Sequence, residues 1–179
     1  ELLEIFRFES GMHTLQQTAV NLNSLLSVIV SDVQFEREEA KLRLALPDAT
    51  VWVNGQGELL QRAIENVVRN ALKYGPQGGI VSIGLYLNPR TAEAVLEIED
   101  QGKGVPDDEL EHIYKPFVRG SHTAMIEGHG IGLALTKHII EAHGGFIKAV
   151  NLHPTGFMLR IHLPVRPAVA DSSVADNQA

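Results

Sequence analysis

The sequence predicts an α+β fold, a two-layer sandwich in which helices pack on one face of a mostly antiparallel sheet. The predicted elements follow the order helix, strands, long helix, hairpin, short helix, helix and hairpin. A doubly wound parallel sheet needs strict alternation of strands and helices, so this order disfavours it. In addition, two pairs of alternating segments are each joined by a short turn, as antiparallel hairpins are.

The composition is that of one globular domain with an acidic surface. The chain has 179 residues and a net charge of −7, and this charge disfavours a general nucleic-acid surface, which needs a basic stripe. It has no cysteine, so disulfides and thiolate metal sites are excluded. The chain shows neither a signal peptide nor the roughly 20 apolar residues of a membrane span. Because it begins with Glu inside a helical pattern, we expect a fragment of a longer protein.

The first third of the chain predicts two helices and two short strands. Residues 1–10 have the pattern of the tail of a longer helix, and residues 12–18 form a polar connection. From Asn21, apolar residues recur at i, i+3, i+4, i+7 and i+11, which predicts a helix. Residues 41–46 alternate as a half-buried strand does, and residues 51–53 form a short strand.

The segment 62–74, RAIENVVRNALKY, predicts a helix with three faces. Its core face is an apolar stripe of Leu60, Ala63, Ile64, Val67 and Ala71. Its second face is a row of polar residues, Arg62, Asn66, Asn70 and Lys73, with Tyr74 at the edge. Gln61, Glu65 and Arg69 are left for solvent. Gly75-Pro76 is expected to end the helix, because Gly tolerates a left-handed cap and Pro cannot continue the hydrogen-bond ladder.

The polar row of this helix would suit a metal-bound polyphosphate. An amide oxygen is a hard, neutral ligand for Mg²⁺, a second amide can hold a water or a phosphate oxygen, and Lys is a point cation for phosphate. Asparagine has a low helix propensity, so two asparagines in one row of a helix indicate a functional role. The alternative is a pair of ordinarily solvated surface asparagines.

The second half of the chain predicts two hairpins, a short helix and a longer helix. The hairpin strands are residues 81–87 with 94–100, and 146–150 with 156–163. The short helix covers 108–114 behind an Asp107 cap, and the longer helix covers 133–143. The tail from about Arg166 is expected to be disordered.

Two glycine-rich turns have the composition of ligand-binding loops. GHGIG at 128–132 opens a helix, where backbone N–H groups and the helix dipole favour a phosphate. DQGKG at 100–104 places a carboxylate at a strand end, where it can accept a hydrogen bond from an exocyclic amine. Each also has a plain alternative, a tight turn for the first and an Asp-initiated glycine turn for the second. Neither a Walker A loop nor a dinucleotide fingerprint matches GHGIG, and no HExxH zinc motif occurs.

Taken in order, the segments ENVVRNALKY, DQGKGVP, YKPFVRG and GHGIGLAL resemble the N, G1, F and G2 boxes of the histidine-kinase ATP-binding domain of the GHKL (Bergerat) superfamily. The resemblance covers residues 20–164. It implies the Bergerat fold, with helices on one face of a mixed, mostly antiparallel sheet, and it implies ATP and Mg²⁺ as ligands. Residues 1–11 would be the end of a dimerisation and phosphoacceptor hairpin, 12–165 the ATP-binding domain and 166–179 a disordered tail.

The resemblance also implies a role for each matching residue. Asn70 would coordinate Mg²⁺, Asn66 would contact phosphate or a metal-bound water, and Lys73 would reach a phosphate. Asp100 would accept from the adenine amino group, with Tyr74 against the ring unless Tyr74 is a core aromatic. Gly102 and Gly104 would permit the approach of the base, and Phe117 would couple the lid to the core. Arg119 would be a lid-side cation near the phosphates, unless it is a plain surface charge. The remaining implied positions form the lid hinge, the phosphate loop and the closure of the base pocket: Gly128, His129, Gly130, Ile131, Gly132 and Leu133. His129 departs from the family, in which Gly or Thr is expected.

Asn66 stands where ATP-hydrolysing members of the superfamily carry a Glu that serves as general base. Asn cannot take a proton at neutral pH, and Glu65 points about 100° away from the row. We therefore expect a protein histidine kinase of a two-component phosphorelay, which holds ATP for transfer of its γ-phosphate to a histidine on a hairpin domain. That acceptor is expected to be absent from this chain, since His13 does not fit the role.

The resemblance implies partners as well. They are the protein's own dimerisation and phosphoacceptor domain and the receiver domain of a response regulator, with no nucleic acid. The fragment is expected to be a monomer, and the parent a homodimeric inner-membrane sensor with this domain in the cytoplasm. Two alternatives stay open, a serine kinase of the same superfamily in a partner-switching system and a degenerate, non-catalytic nucleotide-binding or interaction module.

Overall fold

The computed structural model describes residues 17–117 and 130–166. In chain order their strands and helices are β1 (Thr18–Asn21), α1 (Leu22–Glu36), β2 (Lys41–Ala45), β3 (Trp52–Gly55), α2 (Gly57–Tyr74), β4 (Ile80–Asn88), β5 (Glu93–Asp100), α3 (Gly132–Ala142), β6 (Phe146–Asn151) and β7 (Phe157–Pro164). Two single-turn 3₁₀ helices, Asp107–Glu109 and His112–Tyr114, lie between β5 and α3.

Five of the strands form a mixed, mostly antiparallel sheet in the order β2-β4-β5-β7-β6. β2 runs parallel to β4, and every other neighbouring pair is antiparallel, including both predicted hairpins. β1 and β3 form a separate two-stranded antiparallel ribbon. The predicted two-layer fold is confirmed.

The core lies between the helices and the inner face of the sheet. Along β4 the buried residues alternate, Val81, Ile83 and Leu85, and they pack with the buried faces of α1, α2 and α3. On α2 the five residues of the predicted apolar stripe are buried, and Val68, which was not predicted, is buried with them: Leu60, Ala63, Ile64, Val67, Val68 and Ala71. A fully buried Leu, Ile or Val side chain contributes about 1.5–3 kcal/mol. This stripe therefore fixes α2 on the sheet and leaves its polar row at the edge.

The C-terminal end of α2 differs from the prediction. Gly75 has φ −68° and ψ 165°, an extended conformation and not the left-handed cap. A Cβ at this position would lie 2.8 Å from the Ala71 carbonyl oxygen and 3.4 Å from Cβ of Asp100. Close packing between the helix end and β5, and not backbone freedom, therefore explains why glycine stands here.

Two shorter elements also correct the sequence predictions. The predicted helix 108–114 is a pair of 3₁₀ turns, and the Asp107 side chain does not cap a helix. Its Oδ1 instead accepts a hydrogen bond from Nδ2 of Asn151, at 2.8 Å. Thr18, predicted in a connection, begins β1 and pairs with Gly55. Val20 is the one buried residue among the four of β1, so this strand leaves no alternating pattern in the sequence.

The chain ends of the described region meet at the ribbon of β1 and β3. Val165 bridges to Val53, and the Arg166 N–H donates to the Trp52 carbonyl at 2.8 Å. The predicted hairpin end at 1–11 and tail residues 167–179 lie outside the described residues. Among the helices of the described ranges, none combines the length and the apolar character needed to cross a membrane.

Candidate functional site

The polar row of α2 faces the first turns of α3. Nδ2 of Asn66 donates to Oγ1 of Thr136 at 3.0 Å, and that hydroxyl donates to the Ala63 carbonyl at 3.3 Å. A Cβ on Gly132 would lie only 2.5 Å from Oδ1 of Asn66. Glycine at this position therefore lets the start of α3 pack directly against the Asn66 amide.

A pocket of about 180 Å³ opens between α2 and α3 beside Asn66. Its lining residues are Arg62, Ala63, Glu65, Asn66, Arg69, Gly132, Leu135, Thr136 and Ile139. The pocket shows that the predicted polar row borders accessible space where it meets the α3 N-terminus.

Glu65 and Arg69 were predicted to face solvent, but they form an ion-pair network. Nη2 of Arg69 lies 2.7 Å from a carboxylate oxygen of Glu65 and 2.7 Å from one of Glu36. The hydrogen bond to Glu36 raises the pKa of Arg69, and the bond to Glu65 raises it further by a smaller amount. This network links the end of α1 to α2 and engages the carboxylate of Glu65 with a cation.

Asn70, Lys73 and Tyr74 continue the row toward the end of α2. The half-buried Asn70 amide makes no hydrogen bond to another residue of the two described ranges, so it is open to a ligand. Nζ of Lys73 lies 5.0 Å from the centroid of the Tyr74 ring. Tyr74 is 36% exposed, so it is not a core aromatic.

Asp100 is a buried carboxyl group at the end of β5, 4% exposed. Burial raises the pKa of Asp100 to about 6, although the hydrogen bond that Oδ1 accepts from the Gly102 N–H, at 2.6 Å, opposes this shift. Within the described part of the chain, Oδ2 makes no hydrogen bond. A carboxyl oxygen without a protein partner can accept a hydrogen bond from a donor on a ligand.

The two glycines after Asp100 are required by close contacts. A Cβ on Gly102 would lie 2.6 Å from Oδ1 of Asp100 and 2.9 Å from the Tyr74 carbonyl oxygen. Gly104 has φ 70°, in the left-handed region, and a Cβ there would collide with the side chain of Asn151. The loop therefore packs tightly against the end of α2 and the end of β6.

Asn151 holds this loop and was not identified from the sequence. Its Oδ1 accepts from the Val105 N–H at 3.2 Å, and its Nδ2 donates to the Val105 carbonyl at 2.7 Å. The same Nδ2 donates to Asp107. A single asparagine at a strand end gives no sequence signal of this role, because its partners lie more than 40 residues away.

Phe117 and Gly130 border the segment 118–129. The Phe117 N–H donates to the Gly130 carbonyl at 2.9 Å, and both residues have positive φ, 64° and 67°. The Phe117 side chain is 62% exposed, and its predicted coupling of the lid to the core stays a prediction, because residues 118–129 lie outside the described residues. Ile131 is buried and Leu133 packs partly buried against the core. The other predicted positions of this loop lie outside the described residues: Arg119, Gly128 and His129.

Comparison with known proteins decides the family. A family profile described as "Histidine kinase-, DNA gyrase B-, and HSP90-like ATPase" matches residues 55–167, more than half of the chain. The chain belongs to this ATPase family. The solved mycobacterial sensor histidine kinase MprB superposes with a TM-score of 0.74 at 30% identity, over 84% of this chain and 99% of that chain.

Curated relatives of this ATPase-family chain are sensor kinases. Sensor protein kinase PmrB of Pseudomonas aeruginosa is 33% identical over 165 residues, which cover 92% of this chain and 34% of that protein. Sensor histidine kinase WalK of Bacillus subtilis is 26% identical over 174 residues, 96% of this chain and 28% of that protein. The chain is thus a histidine-kinase ATP-binding domain, as the four boxes predicted, and it spans about a third of the length of these relatives.

In this ATP-binding domain the predicted site residues form two groups along α2. Asn66 and Gly132 meet at the middle of α2, and Tyr74, Asp100 and Gly102 meet at its C-terminal end. With a rise of about 1.5 Å per residue, Asn66 and Gly75 are roughly 13 Å apart along the helix. The arrangement provides a buried carboxyl acceptor at one end and amide groups beside a helix N-terminus at the other.

Two amide oxygens of α2, those of Asn66 and Asn70, could bind a metal ion in this ATPase-family domain. Among the described residues, no group of three or more His, Cys, Asp or Glu side chains could hold a metal ion. Asn66 and Asn70 carry neutral hard oxygens, which suit a Mg²⁺ ion that keeps most of its ligands as waters and phosphate oxygens. These residues therefore fit magnesium delivered with a polyphosphate.

Proposed function

We propose that this domain is the catalytic part of a two-component sensor histidine kinase, which binds Mg-ATP and presents the γ-phosphate to a histidine on a separate hairpin domain. The observation that carries the proposal is that Asp100 lies beside the C-terminal end of α2, while the Asn70 and Asn66 amides lie about one and two turns back along the same helix. The helix segment from Asn66 to Gly75 is roughly 13 Å long, which suits a nucleotide whose base lies near Gly75 and whose phosphates lie near Asn66.

The base end of the site is assigned to Asp100. Its unpaired Oδ2 would accept a hydrogen bond from the adenine amino group, and a charge-assisted bond of this kind contributes about 1.5–3 kcal/mol. Gly102 and Gly104 allow the close approach, and Tyr74 lies beside the ring. Leu133, in the first turn of α3, would close the base pocket.

The phosphate end is assigned to the amides and to local cations. Asn70 would be a Mg²⁺ ligand, Asn66 would hold a phosphate or a metal-bound water, and Lys73 would reach a phosphate. Arg119 would be a lid-side cation near the phosphates, and Phe117 would couple the lid to the core. The loop that opens α3 would shape the lid hinge and the phosphate site: Gly128, His129, Gly130 and Gly132. Bound Mg²⁺ would neutralise part of the phosphate charge, which a chain with a net charge of −7 cannot neutralise by its overall charge.

Transfer to a protein acceptor is favoured over hydrolysis by the chemistry of Asn66. A neutral amide cannot take a proton from water. The neighbouring carboxylate of Glu65 is held by Arg69 at 2.7 Å and is not poised as a general base. The γ-phosphate therefore waits for a better nucleophile, and this domain contributes positioning and charge stabilisation.

The whole protein would extend beyond this domain. Residues 1–11 would end a dimerising hairpin that carries the acceptor histidine, 12–165 would be the catalytic domain, and 166–179 a tail that is disordered beyond Arg166, whose backbone N–H is bonded to Trp52. The receiver domain of a response regulator would be the next acceptor, and the parent would be a homodimeric membrane sensor with this domain in the cytoplasm. Support comes from the relatives, which are sensor kinases about three times as long. The relatives disfavour the serine-kinase and degenerate-module alternatives.

A phosphotransfer assay tests the proposal. The chain is mixed with radiolabelled ATP, Mg²⁺ and the separately produced hairpin domain of its parent protein, and acid-labile label on the hairpin is measured. Wild type and the surface control Asp32→Asn are expected to transfer label, whereas Asp100→Asn is not. Rapid release of inorganic phosphate without label on the hairpin would identify an ATPase and overturn the proposal.

A further inference from the structure

We propose that Thr136 is a positioning residue, which fixes the Asn66 amide so that its oxygen, and not its NH₂ group, faces the ligand. Thr136 lies on α3 and is 1% exposed, and its hydroxyl is the partner of Nδ2 of Asn66 at 3.0 Å. The inference rests on the proposed function and narrows it, because an amide oxygen that faces the ligand would contact a metal-bound water or Mg²⁺ and not a phosphate oxygen, which is itself an acceptor.

The orientation of the Asn66 amide follows from the fact that the Thr136 hydroxyl has only one hydrogen to donate. A threonine hydroxyl has one hydrogen to donate and two lone pairs that accept. Its hydrogen is directed to the Ala63 carbonyl, 3.3 Å away on α2. The hydroxyl can then only accept from Asn66, so the Asn66 NH₂ group must face Thr136.

This orientation determines which atom of Asn66 remains for a ligand. The amide lies against Gly132, where a Cβ would come within 2.5 Å of Oδ1. One of the two Nδ2 hydrogens is bonded to Thr136, and Oδ1 accepts no hydrogen bond from the described residues, so the oxygen is open to a ligand. An amide oxygen can accept from a metal-bound water or bind Mg²⁺, whereas an amide NH₂ can do neither. Thr136 therefore selects the orientation that suits Mg-ATP.

Three variants separate orientation from folding. Thr136→Val keeps the shape of the side chain and removes the hydroxyl, Thr136→Ser keeps the hydroxyl, and Thr50→Val makes the same change at an exposed loop position. Each is titrated calorimetrically with a non-hydrolysable ATP analogue, with and without Mg²⁺. The measured quantity is the ratio of the affinity with Mg²⁺ to the affinity without it. A general loss of packing weakens both affinities and leaves this ratio unchanged.

The expected result is a loss of Mg²⁺ dependence in one variant. Thr136→Val should lower the Mg²⁺-dependent gain in affinity about 3- to 10-fold, the size of one hydrogen bond, while affinity without Mg²⁺ stays near that of wild type. Thr136→Ser and Thr50→Val should retain the gain. A folded Thr136→Val protein with the wild-type gain would overturn the positioning role.

A measurement on the wild-type chain remains decisive if Thr136→Val does not fold. Nuclear Overhauser contacts between the Asn66 side-chain NH₂ protons and the Thr136 side chain are expected, and their absence would overturn the orientation. A wild-type chain that binds no nucleotide under either condition would contradict the proposed function and the positioning role with it. The NH₂ contacts would then still report the orientation of the Asn66 amide. A failure of the proposed function can therefore be told apart from a wrong amide orientation.

Discussion

His143 joins the end of α3 to the start of α2 through the backbone of Gln56. Nε2 of His143 accepts from the Gln56 N–H at 3.0 Å, and Nδ1 donates to the Ile139 carbonyl at 2.6 Å. Both bonds together require the neutral imidazole with its hydrogen on Nδ1. Gln56 is the N-cap residue of α2 and its side chain makes no capping bond, so the imidazole satisfies an N–H at the helix start.

The stability of the fold should therefore fall in mild acid because of His143. Burial lowers the pKa of His143 below its ordinary 6.5, although its bond to Ile139 opposes the shift. The unfolded chain then takes up this proton first, so the contribution is complete above about pH 6.5 and is lost as the pH falls below it. Urea unfolding at pH 7.5 and 5.5 should show a larger loss for wild type than for His143→Gln. The exposed control His112→Gln should behave as wild type, and equal losses in all three would contradict the assignment.

Asp100 is expected to cost stability at neutral pH. Its pKa is raised from 3.8 to about 6 by burial, so its charged form is disfavoured in the folded state. The sign is opposite to that of His143, because stability is lost as the pH rises from about 4 to 6 and stays lower above that range. A shift of roughly two units corresponds to about 3 kcal/mol.

Asp100→Asn should therefore raise the free energy of unfolding at pH 7 by about 1–3 kcal/mol in the absence of nucleotide. Chemical denaturation measures the change, with Asp48→Asn in a surface turn as the control. The gain should disappear near pH 3.5, where the carboxyl is protonated in both states. A less stable Asp100→Asn protein at pH 7 would show that the carboxylate has a partner which the structure does not reveal.

Gly104 and Gly78 provide a matched pair for the loop after Asp100. Both have positive φ, 70° and 72°, but a Cβ on Gly104 would collide with Asn151, whereas a Cβ on Gly78 would meet nothing within 4 Å. Gly78→Ala should lower the free energy of unfolding by about 1 kcal/mol from backbone strain alone. Gly104→Ala adds a steric cost and should lower it by about 2–4 kcal/mol while weakening nucleotide binding. Thermal denaturation of the two variants tests this, and similar costs would argue against close packing of the loop.

Residues whose role depends on a local pattern could be predicted from the sequence. The apolar stripe of α2 repeats over its whole length, and both hairpins alternate, so these elements follow from periodicity. β1 could not be predicted, because it has only one buried residue and is a strand only through its pairing with β3, more than 30 residues later. Gly75 likewise stands beside Asp100, which is distant in the chain.

The same distinction holds for the site. Asn66, Asn70 and Asp100 occur in recognisable sequence boxes and were predicted as site residues. The hydrogen-bonding residues that hold the site were not: Thr136, His143 and Asn151. Their partners lie 70, 87 and 46 residues away, so that only the folded chain brings them together.

The central claim is that Asp100 and Asn70 bind the two ends of one Mg-nucleotide along α2. Calorimetric titration of this chain with a non-hydrolysable ATP analogue, with and without Mg²⁺, tests it most directly beside Asp100→Asn and Asn70→Asp. The account predicts saturable binding that Asp100→Asn abolishes, and an effect of Mg²⁺ that is altered when Asn70 is changed. Absence of binding by the wild-type chain at millimolar nucleotide, or full binding by Asp100→Asn, would contradict it.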